Sequence, residues 1–146
     1  MEQMVDSKQH KLGNPQIVAI ALKNTKTQYP AGVAMTAVVA EMSQPKTKVQ
    51  QFGNTVFVLH MGNDRGGAFK AFNADTAANF MQNSIQFLVW AKRLGMQTLV
   101  TDFNDPNIYR IVKLIAANPP MQGMGFDAHN LKDGDMRVGI NLGQGE

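Results

Sequence analysis

The amino-acid sequence predicts one domain of the α/β class, with a mixed β-sheet flanked by helices. Three observations lead to this prediction. The chain has 146 residues, 44% of them hydrophobic and 17% charged, which is typical of a single globular core. Its middle carries three short β-type runs separated by turn residues. The second half alternates helical and extended patterns in an order that neither a doubly wound sheet nor a four-helix bundle gives.

The first elements follow a polar segment at residues 1–14. Residues 17–22 form a short apolar run rich in β-branched side chains, which predicts a strand. Residues 31–42 are small or apolar at helical spacing and are followed by Pro45, so they favour a helix, with a strand as the alternative. We expect the domain to span residues 15–142 and a short tail to follow at 143–146.

The middle of the chain predicts an antiparallel meander. Residues 48–52 and 55–60 flank Gly53-Asn54, two residue types that tolerate the positive φ of a tight turn. A second turn at residues 62–67 leads to a third strand at 68–72.

The second half contains the clearest helix, over residues 77–94. Asn73 to Thr76 supply its N-cap candidates and Gly95 lies just past its end. Its predicted core-facing stripe is Ala77, Phe80, Met81, Ser84, Ile85, Leu88, Ala91 and Leu94. Then come a strand at 96–102, a helix opened by Asp105-Pro106, and two strands near 124–128 and 136–142.

Composition excludes several classes of protein. The chain has no cysteine, which removes disulfides, thiolate metal sites and cysteine nucleophiles and fits a reducing compartment. No apolar run approaches the roughly 18 residues of a membrane span, and no histidine pair has metal-ligand spacing. We therefore expect a cytoplasmic protein with no membrane contact and no metal.

The net charge of +3 is concentrated in the first half of the chain. Residues 1–73 hold eight Lys and Arg against four Asp and Glu. This excess is compatible with a nucleic-acid partner. The lysines lack aromatic neighbours in sequence, however, so a solvated surface is favoured over a polyanion site.

Residues 76–126 carry a resemblance to a known superfamily. Its parts are the helix end Ala91-Lys92-Arg93-Leu94-Gly95, the strand Gln97-Thr98-Leu99-Val100-Thr101, the helix opening Asn104 to Asn107, and Met124-Gly125-Phe126 before the next strand. In these features and in element order the chain resembles the GNAT superfamily of acyl-CoA-dependent N-acyltransferases. It looks most like the minimal GNAT-like proteins of tailed bacteriophages, including small internal virion proteins of T7-like phages. The resemblance implies a mixed central sheet with an antiparallel meander, a long helix, a parallel strand pair and flanking helices.

The resemblance also implies where a cofactor would bind. GNAT enzymes hold the CoA diphosphate on backbone N–H groups at the start of the long helix, after a Gln/Arg-x-x-Gly-x-Gly/Ala pattern. This chain has Asn73-Ala74-Asp75-Thr76 instead, without glycine and with a carboxylate, so Asp75 argues against CoA. If acetyl-CoA does bind, the candidate cofactor-binding residues are Asn73, Thr76, Asn104 and Asn107.

Catalysis of this type needs a base, commonly a Glu on the last meander strand, and often a Tyr acid on the next helix. The three glutamates, Glu2, Glu41 and Glu146, all lie outside that strand. His60 is the best remaining base, with Asp64 or Asp102 as its expected partner. Tyr109 is the candidate acid, although it comes earlier in the helix than the family's tyrosine.

Two main hypotheses follow. In the first, the chain is a GNAT-like protein without a cofactor that acts as a binding or assembly component. Its partner would be a virion or host protein or a second copy, in the host cytoplasm or the virion. In the second, it is an acetyl-CoA-dependent N-acyltransferase with His60 or water as the base. Nucleic-acid binding through the basic first half is a weaker alternative.

Overall fold

The computed structural model describes residues 15–24 and 31–143, which form four α-helices and six strands. The helices are α1 (Pro15–Asn24), α2 (Ala31–Met42), α3 (Ala77–Arg93) and α4 (Pro106–Ala117). The strands are β1 (Thr47–Phe52), β2 (Thr55–Met61), β3 (Gly66–Asn73), β4 (Thr98–Phe103), β5 (Gly125–Asn130) and β6 (Met136–Asn141). The order predicted from residue 31 onward is confirmed. Both predicted tails, apart from Gly143, lie outside the described residues.

The first predicted element is wrong, because residues 17–22 lie in helix α1 and not in a strand. Ile17, Val18 and Ala21 are buried, while Ala19 and Ile20 are exposed. This spacing puts the buried side chains on one face of a helix, whereas a strand would bury alternate residues. Pro15 stands at the first helical position, where its missing N–H costs nothing. A six-residue apolar run fits either structure, so composition alone misleads here.

The six strands form one sheet in the order β1-β2-β3-β4-β6-β5. All neighbours are antiparallel except β3 and β4, which are parallel and pair only at Gly66 to Ala68 with Thr98 to Val100. Beyond Ala68 and Val100 the two strands lose their pairing, and we call this part the splayed strands. The predicted meander is confirmed as β1-β2-β3, with Gly53 at φ +57° in the turn between β1 and β2.

Helices cover both faces of the sheet. On one face, α1 and α2 pack over β1 to β3 through a small core that includes Val18, Val38 and Val58. On the other face, α3 and α4 cover a larger core built around Phe57 and Phe87. None of the described helices is long and apolar enough to cross a membrane.

Candidate functional site

The turn between β3 and α3, where the sequence places Asn73 and Thr76 as cofactor-binding candidates, is filled with internal hydrogen bonds. The Thr76 hydroxyl accepts from the N–H of Asn79 at 3.2 Å and forms the N-cap of α3. The Asn73 Oδ1 accepts from the Asp75 N–H at 3.0 Å, and the Asn73 amide donates to the Asp75 carbonyl at 3.0 Å. Two backbone donors of this helix start, the N–H groups of Asp75 and Asn79, are therefore used by side chains of the turn.

The Asp75 carboxylate lies at the centre of this turn. It accepts from the backbone N–H of Asn54 at 2.8 Å and from the side-chain amide of Asn83 at 2.9 Å. Asn83 also donates to the Thr55 hydroxyl at 2.9 Å, and Thr55 donates to Asn73 at 2.8 Å. We call these five residues, Asn54, Thr55, Asn73, Asp75 and Asn83, the capping network. It joins the β1–β2 hairpin, strand β3 and helix α3.

The capping network stabilises the ionised form of Asp75. The hydrogen bond from the Asn54 backbone, followed by that from Asn83, lowers the pKa of the Asp75 carboxyl. A negative charge therefore persists at the start of α3 throughout the neutral range. The sequence indicated Asp75 as a cap, but it gave no sign of Asn83, a polar residue on the buried face of α3.

A second polar cluster surrounds His60, the candidate base. The Thr47 hydroxyl lies 3.0 Å from His60 Nδ1, and His60 Nε2 lies 2.8 Å from Glu41 Oε2. The neutral ring protonated at Nε2 satisfies both contacts. Glu41 is also bound by Lys70, whose Nζ lies 2.9 Å and 3.1 Å from the two carboxylate oxygens. Both ring nitrogens of His60 are therefore engaged within the protein.

Glu41 is the partner of His60 that sequence reasoning missed. Burial raises the pKa of the Glu41 carboxyl, but the hydrogen bond and charge of Lys70 and the contact with His60 outweigh burial and leave the pKa lowered. Glu41 lies on α2 rather than on a meander strand, and only tertiary packing brings it to His60. The available signal was that Glu41 is the one charged residue in a 12-residue helix of small and apolar side chains.

The predicted partners of His60 are not its partners in the fold. Asp102 instead binds Arg137 through two parallel hydrogen bonds, Nε to Oδ1 at 2.7 Å and Nη2 to Oδ2 at 2.9 Å. This pair holds β4 to β6, where Asp102 and Arg137 are directly opposite in register. The hydrogen bond and charge of Arg137 lower the pKa of Asp102. Asp64 lies in the turn between β2 and β3 at φ +60°.

The other candidate site residues do not converge with His60. Tyr109 lies on α4, on the opposite face of the sheet, and Lys113 Nζ lies 4.8 Å from the centre of its ring. Asn104 and Asn107 are exposed at the start of α4, where the Asn107 N–H donates to the Asp105 cap at 2.9 Å. The structure thus brings together Asn73 and Thr76 at the start of α3, places Asn104 and Asn107 at the start of α4, and puts His60 and Tyr109 on opposite faces of the sheet.

The splayed strands enclose a cavity of about 330 Å³, which we call the interstrand cavity. The Thr101 hydroxyl donates to the Phe69 carbonyl at 2.9 Å and so bridges β4 to β3 where the pairing ends. The walls are mainly apolar. They come from β2, β3, α3, β4, α4, β5 and β6 and include Phe57, Phe69, Phe80, Phe87, Leu88, Ile108, Ile111, Val112, Ile115, Phe126, Val138 and Ile140.

Among known proteins, this chain matches solved structures by its fold. No family model and no curated protein matches the sequence. Aminoglycoside 6'-acetyltransferase type Ii superimposes with a TM-score of 0.60 and 10% identity, covering 92% of this chain and 95% of that one. A mutant of spermidine N-acetyltransferase SpeG from Vibrio cholerae gives 0.60 and 9%, covering 89% and 90%. The Salmonella typhimurium protein yncA, whose structure holds acetyl-CoA as cofactor, gives 0.55 and 10%, covering 90% and 88%.

The chain has the GNAT fold. The predicted mixed sheet with a meander and a parallel strand pair is thereby confirmed, and both chains in each of these superpositions match over most of their length. At 9–10% identity, this likeness concerns the fold and leaves the activity to be argued from the site.

The described residues of this GNAT fold do not fit the diphosphate of acyl-CoA. A diphosphate at the start of α3 would need backbone N–H groups and a positive environment. Here the Asp75 carboxylate occupies the turn, and Asn73 and Thr76 take up the nearby N–H groups of Asp75 and Asn79. Phosphates placed against this turn would lie beside the like charge of the Asp75 carboxylate.

Proposed function

We propose that this GNAT-fold chain is a non-catalytic binding or assembly component that does not use acyl-CoA. The observation that supports the proposal most directly is the capping network, which holds a carboxylate at the start of α3, where the family resemblance puts the cofactor's diphosphate. The engagement of both His60 nitrogens supports it further, because the Nδ1 lone pair that accepts from Thr47 is not open to an incoming amine.

Calorimetric titration with acetyl-CoA tests this proposal. We expect no saturable binding up to about 1 mM, a dissociation constant that corresponds to only about 4 kcal/mol of binding free energy. Titration with inorganic pyrophosphate at the same ionic strength isolates the diphosphate site and should also show no binding. Micromolar binding of acetyl-CoA would overturn the proposal.

The partner that we propose is a protein of a virion or of the host. This follows the sequence resemblance to GNAT-like proteins of bacteriophages. Exposed apolar side chains on three helices, Ile20 on α1, Val39 on α2 and Leu114 on α4, are compatible with contact to a protein. Co-purification of the chain with assembled particles would support a virion role, whereas its recovery only as free protein would count against it.

N-acyl transfer is the second candidate function, and the His60–Glu41 pair favours it. In that hypothesis His60 would release its contact with Thr47 and take a proton from an amine, while Glu41 stabilises the resulting imidazolium. Acyl transfer from CoA to an amine releases a free thiol. Because the chain contains no cysteine, a thiol-reactive dye would report that release without background from the protein.

We expect no protein-dependent thiol release with acetyl-CoA and a panel of amines, and no difference between the natural chain and its His60→Gln variant. The glutamine variant keeps a side chain that can hydrogen-bond to Glu41 but cannot act as a base. Release that falls by about a hundredfold or more in His60→Gln is the general-base signature, and it would establish the second candidate instead.

A further inference from the structure

We infer that two copies of this chain associate through strand β5, the last strand of the sheet, and that the two β5 strands pair antiparallel about Ala128. The two six-stranded sheets then continue into one another across a two-fold axis. This inference goes beyond the proposed function, because it holds whether or not the chain uses acyl-CoA.

The outer edge of β5 is open. β5 ends the strand order of the sheet, and within residues 15–24 and 31–143 only β6 pairs with it. Asp127, Ala128, His129 and Asn130 are all exposed. A strand in this position presents backbone N–H and C=O groups that can pair with a strand of another molecule.

β5 lacks the features that commonly protect such an edge, which are lysine, proline or a bulge. It contains neither lysine nor proline. It pairs with β6 without a bulge, from Gly125 opposite Asn141 to Asn130 opposite Met136. β1, at the other edge of the sheet, carries the exposed Lys48. Of the two edge strands, β5 is therefore the one suited to pairing.

The alternation of the backbone restricts how two copies of β5 can pair. Successive residues of a strand direct their N–H and C=O groups to opposite sides, so every second residue of β5 binds β6 and the others point outward. In an antiparallel pair, outward-pointing residues lie opposite outward-pointing residues. Two identical strands therefore pair with one residue opposite its own copy, at the two-fold axis.

Charge complementarity selects Ala128 as the residue at the axis. With Ala128 there, Asp127 of each copy lies opposite His129 of the other, and the carboxylate can accept a hydrogen bond from either form of the ring. With Asp127 at the axis, two carboxylates would face each other, which destabilises a cross-strand pair. Pairing about Phe126 or His129 would leave half of each strand without a partner.

Asp127 and His129 are available for these pairs. They lie on the face of the sheet opposite the half-buried Phe126, which packs against the core under α3 and α4. Asp127 is opposite Gly139 and so has no side chain across from it on β6. Neither Asp127 nor His129 makes a hydrogen bond to any described residue. Arg137, which is opposite His129, is already held by a carboxylate of β4.

Sedimentation equilibrium of the full chain tests the association. We expect a monomer–dimer equilibrium with a dissociation constant below about 100 μM, in the weak range of small interfaces. His129→Asp places two pairs of carboxylates face to face and should weaken the dimer at least about tenfold. Combining it with Asp127→His exchanges the two side chains and restores both pairs, so the double variant should return to within about threefold of the natural chain.

Gln86→Glu is the matched control for charge. Gln86 is exposed on α3, the helix that packs against β1 and β2 at the other side of the sheet. Its substitution adds one negative charge away from β5, so the dissociation constant should not change. Thermal unfolding of each variant checks that it is native.

Cysteine cross-linking tests the register. The natural chain has no cysteine, so a single introduced thiol reports only its own position. Ala128→Cys places two thiols directly opposite each other, with Cα atoms about 4.5–5.5 Å apart, which is within the range of a disulfide. Mild oxidation should link this variant into dimers. In Asn130→Cys the two thiols are offset by about 13 Å along the strands, and they should not link.

Several results would overturn the inference. A natural chain that stays monomeric up to about 500 μM excludes the association. A dimer that His129→Asp weakens no more than the control, that the double variant does not restore, or that links through Asn130→Cys as readily as through Ala128→Cys is held by another surface or register. None of these measurements uses acyl-CoA, so the proposed function can fail while this inference stands, and the reverse.

Discussion

Replacing Phe87 with alanine is expected to lower the free energy of unfolding by about 3–5 kcal/mol, the range measured for fully buried phenylalanines. The side chain of Phe87 is 0% exposed and lies where α3 meets the sheet. Its ring stacks on Phe57 at 4.4 Å with an interplanar angle of 6° and contacts Phe69 and Trp90 at 4.7 Å and 5.8 Å. The truncation removes these contacts and enlarges a cavity that already borders the ring.

Urea denaturation followed by circular dichroism measures this loss. Leu114→Ala is the matched control because Leu114 is an apolar residue that is 56% exposed on α4, and its truncation should change stability by less than about 0.5 kcal/mol. A loss below about 1 kcal/mol for Phe87→Ala would mean that the α3 face does not anchor the sheet as the structure indicates.

Phe87 also shows where sequence patterning reaches its limit. The limits of the long helix are predicted well, because Thr76 and Gly95 mark its ends and apolar residues recur between them. The buried stripe is predicted less well. The buried residues of the helix include Phe87 and the polar Asn83. Apolar periodicity takes no account of a buried asparagine, so the predicted stripe lies about one position away from the buried one.

The candidate site was harder to predict than the fold, for a physical reason. The order of elements along the chain from residue 31 onward follows from local patterns, and the parallel pair follows from the resemblance, whereas site contacts join residues far apart in sequence. His60 meets Glu41 across 19 positions, and Asn83 meets Thr55 across 28. Whether a polar residue is solvated or buried against a partner depends on the packing of whole elements, which periodicity does not report.

Asn83→Asp is expected to destabilise the chain by about 3 kcal/mol at pH 7, because the substitution keeps the shape of the side chain and replaces a donor with a negative charge. The side-chain amide of Asn83 donates to both Asp75 and Thr55, and Asn83 is only 7% exposed. In the variant two carboxylates would face each other at the distance of that hydrogen bond. The side chain has little room to withdraw, since a Cβ built at Gly53 would lie 2.7 Å from Asn83 Oδ1.

The pH dependence of this loss has a definite sign. Two carboxylates in contact raise the pKa of one of them in the folded variant, so the destabilisation is absent below the unfolded pKa of about 3.9 and grows as the pH rises through the folded value. The natural chain behaves in the opposite way. The pKa of Asp75 is lowered there, so its contribution is present above about pH 3.9 and is lost as the pH falls through the folded pKa.

Urea midpoints at pH 3.5 and pH 7 measure this difference, and Gln82→Glu is the matched control. Gln82 is exposed on the same helix, and its substitution adds the same charge without contact to Asp75, so its effect should be small at both pH values. If Asn83→Asp lowers the stability no more than the control does, or by an amount that does not change with pH, then Asn83 does not make the contact with Asp75 that defines the capping network. The proposed function takes this network to exclude the diphosphate of acyl-CoA, so this measurement on the protein alone also tests that premise.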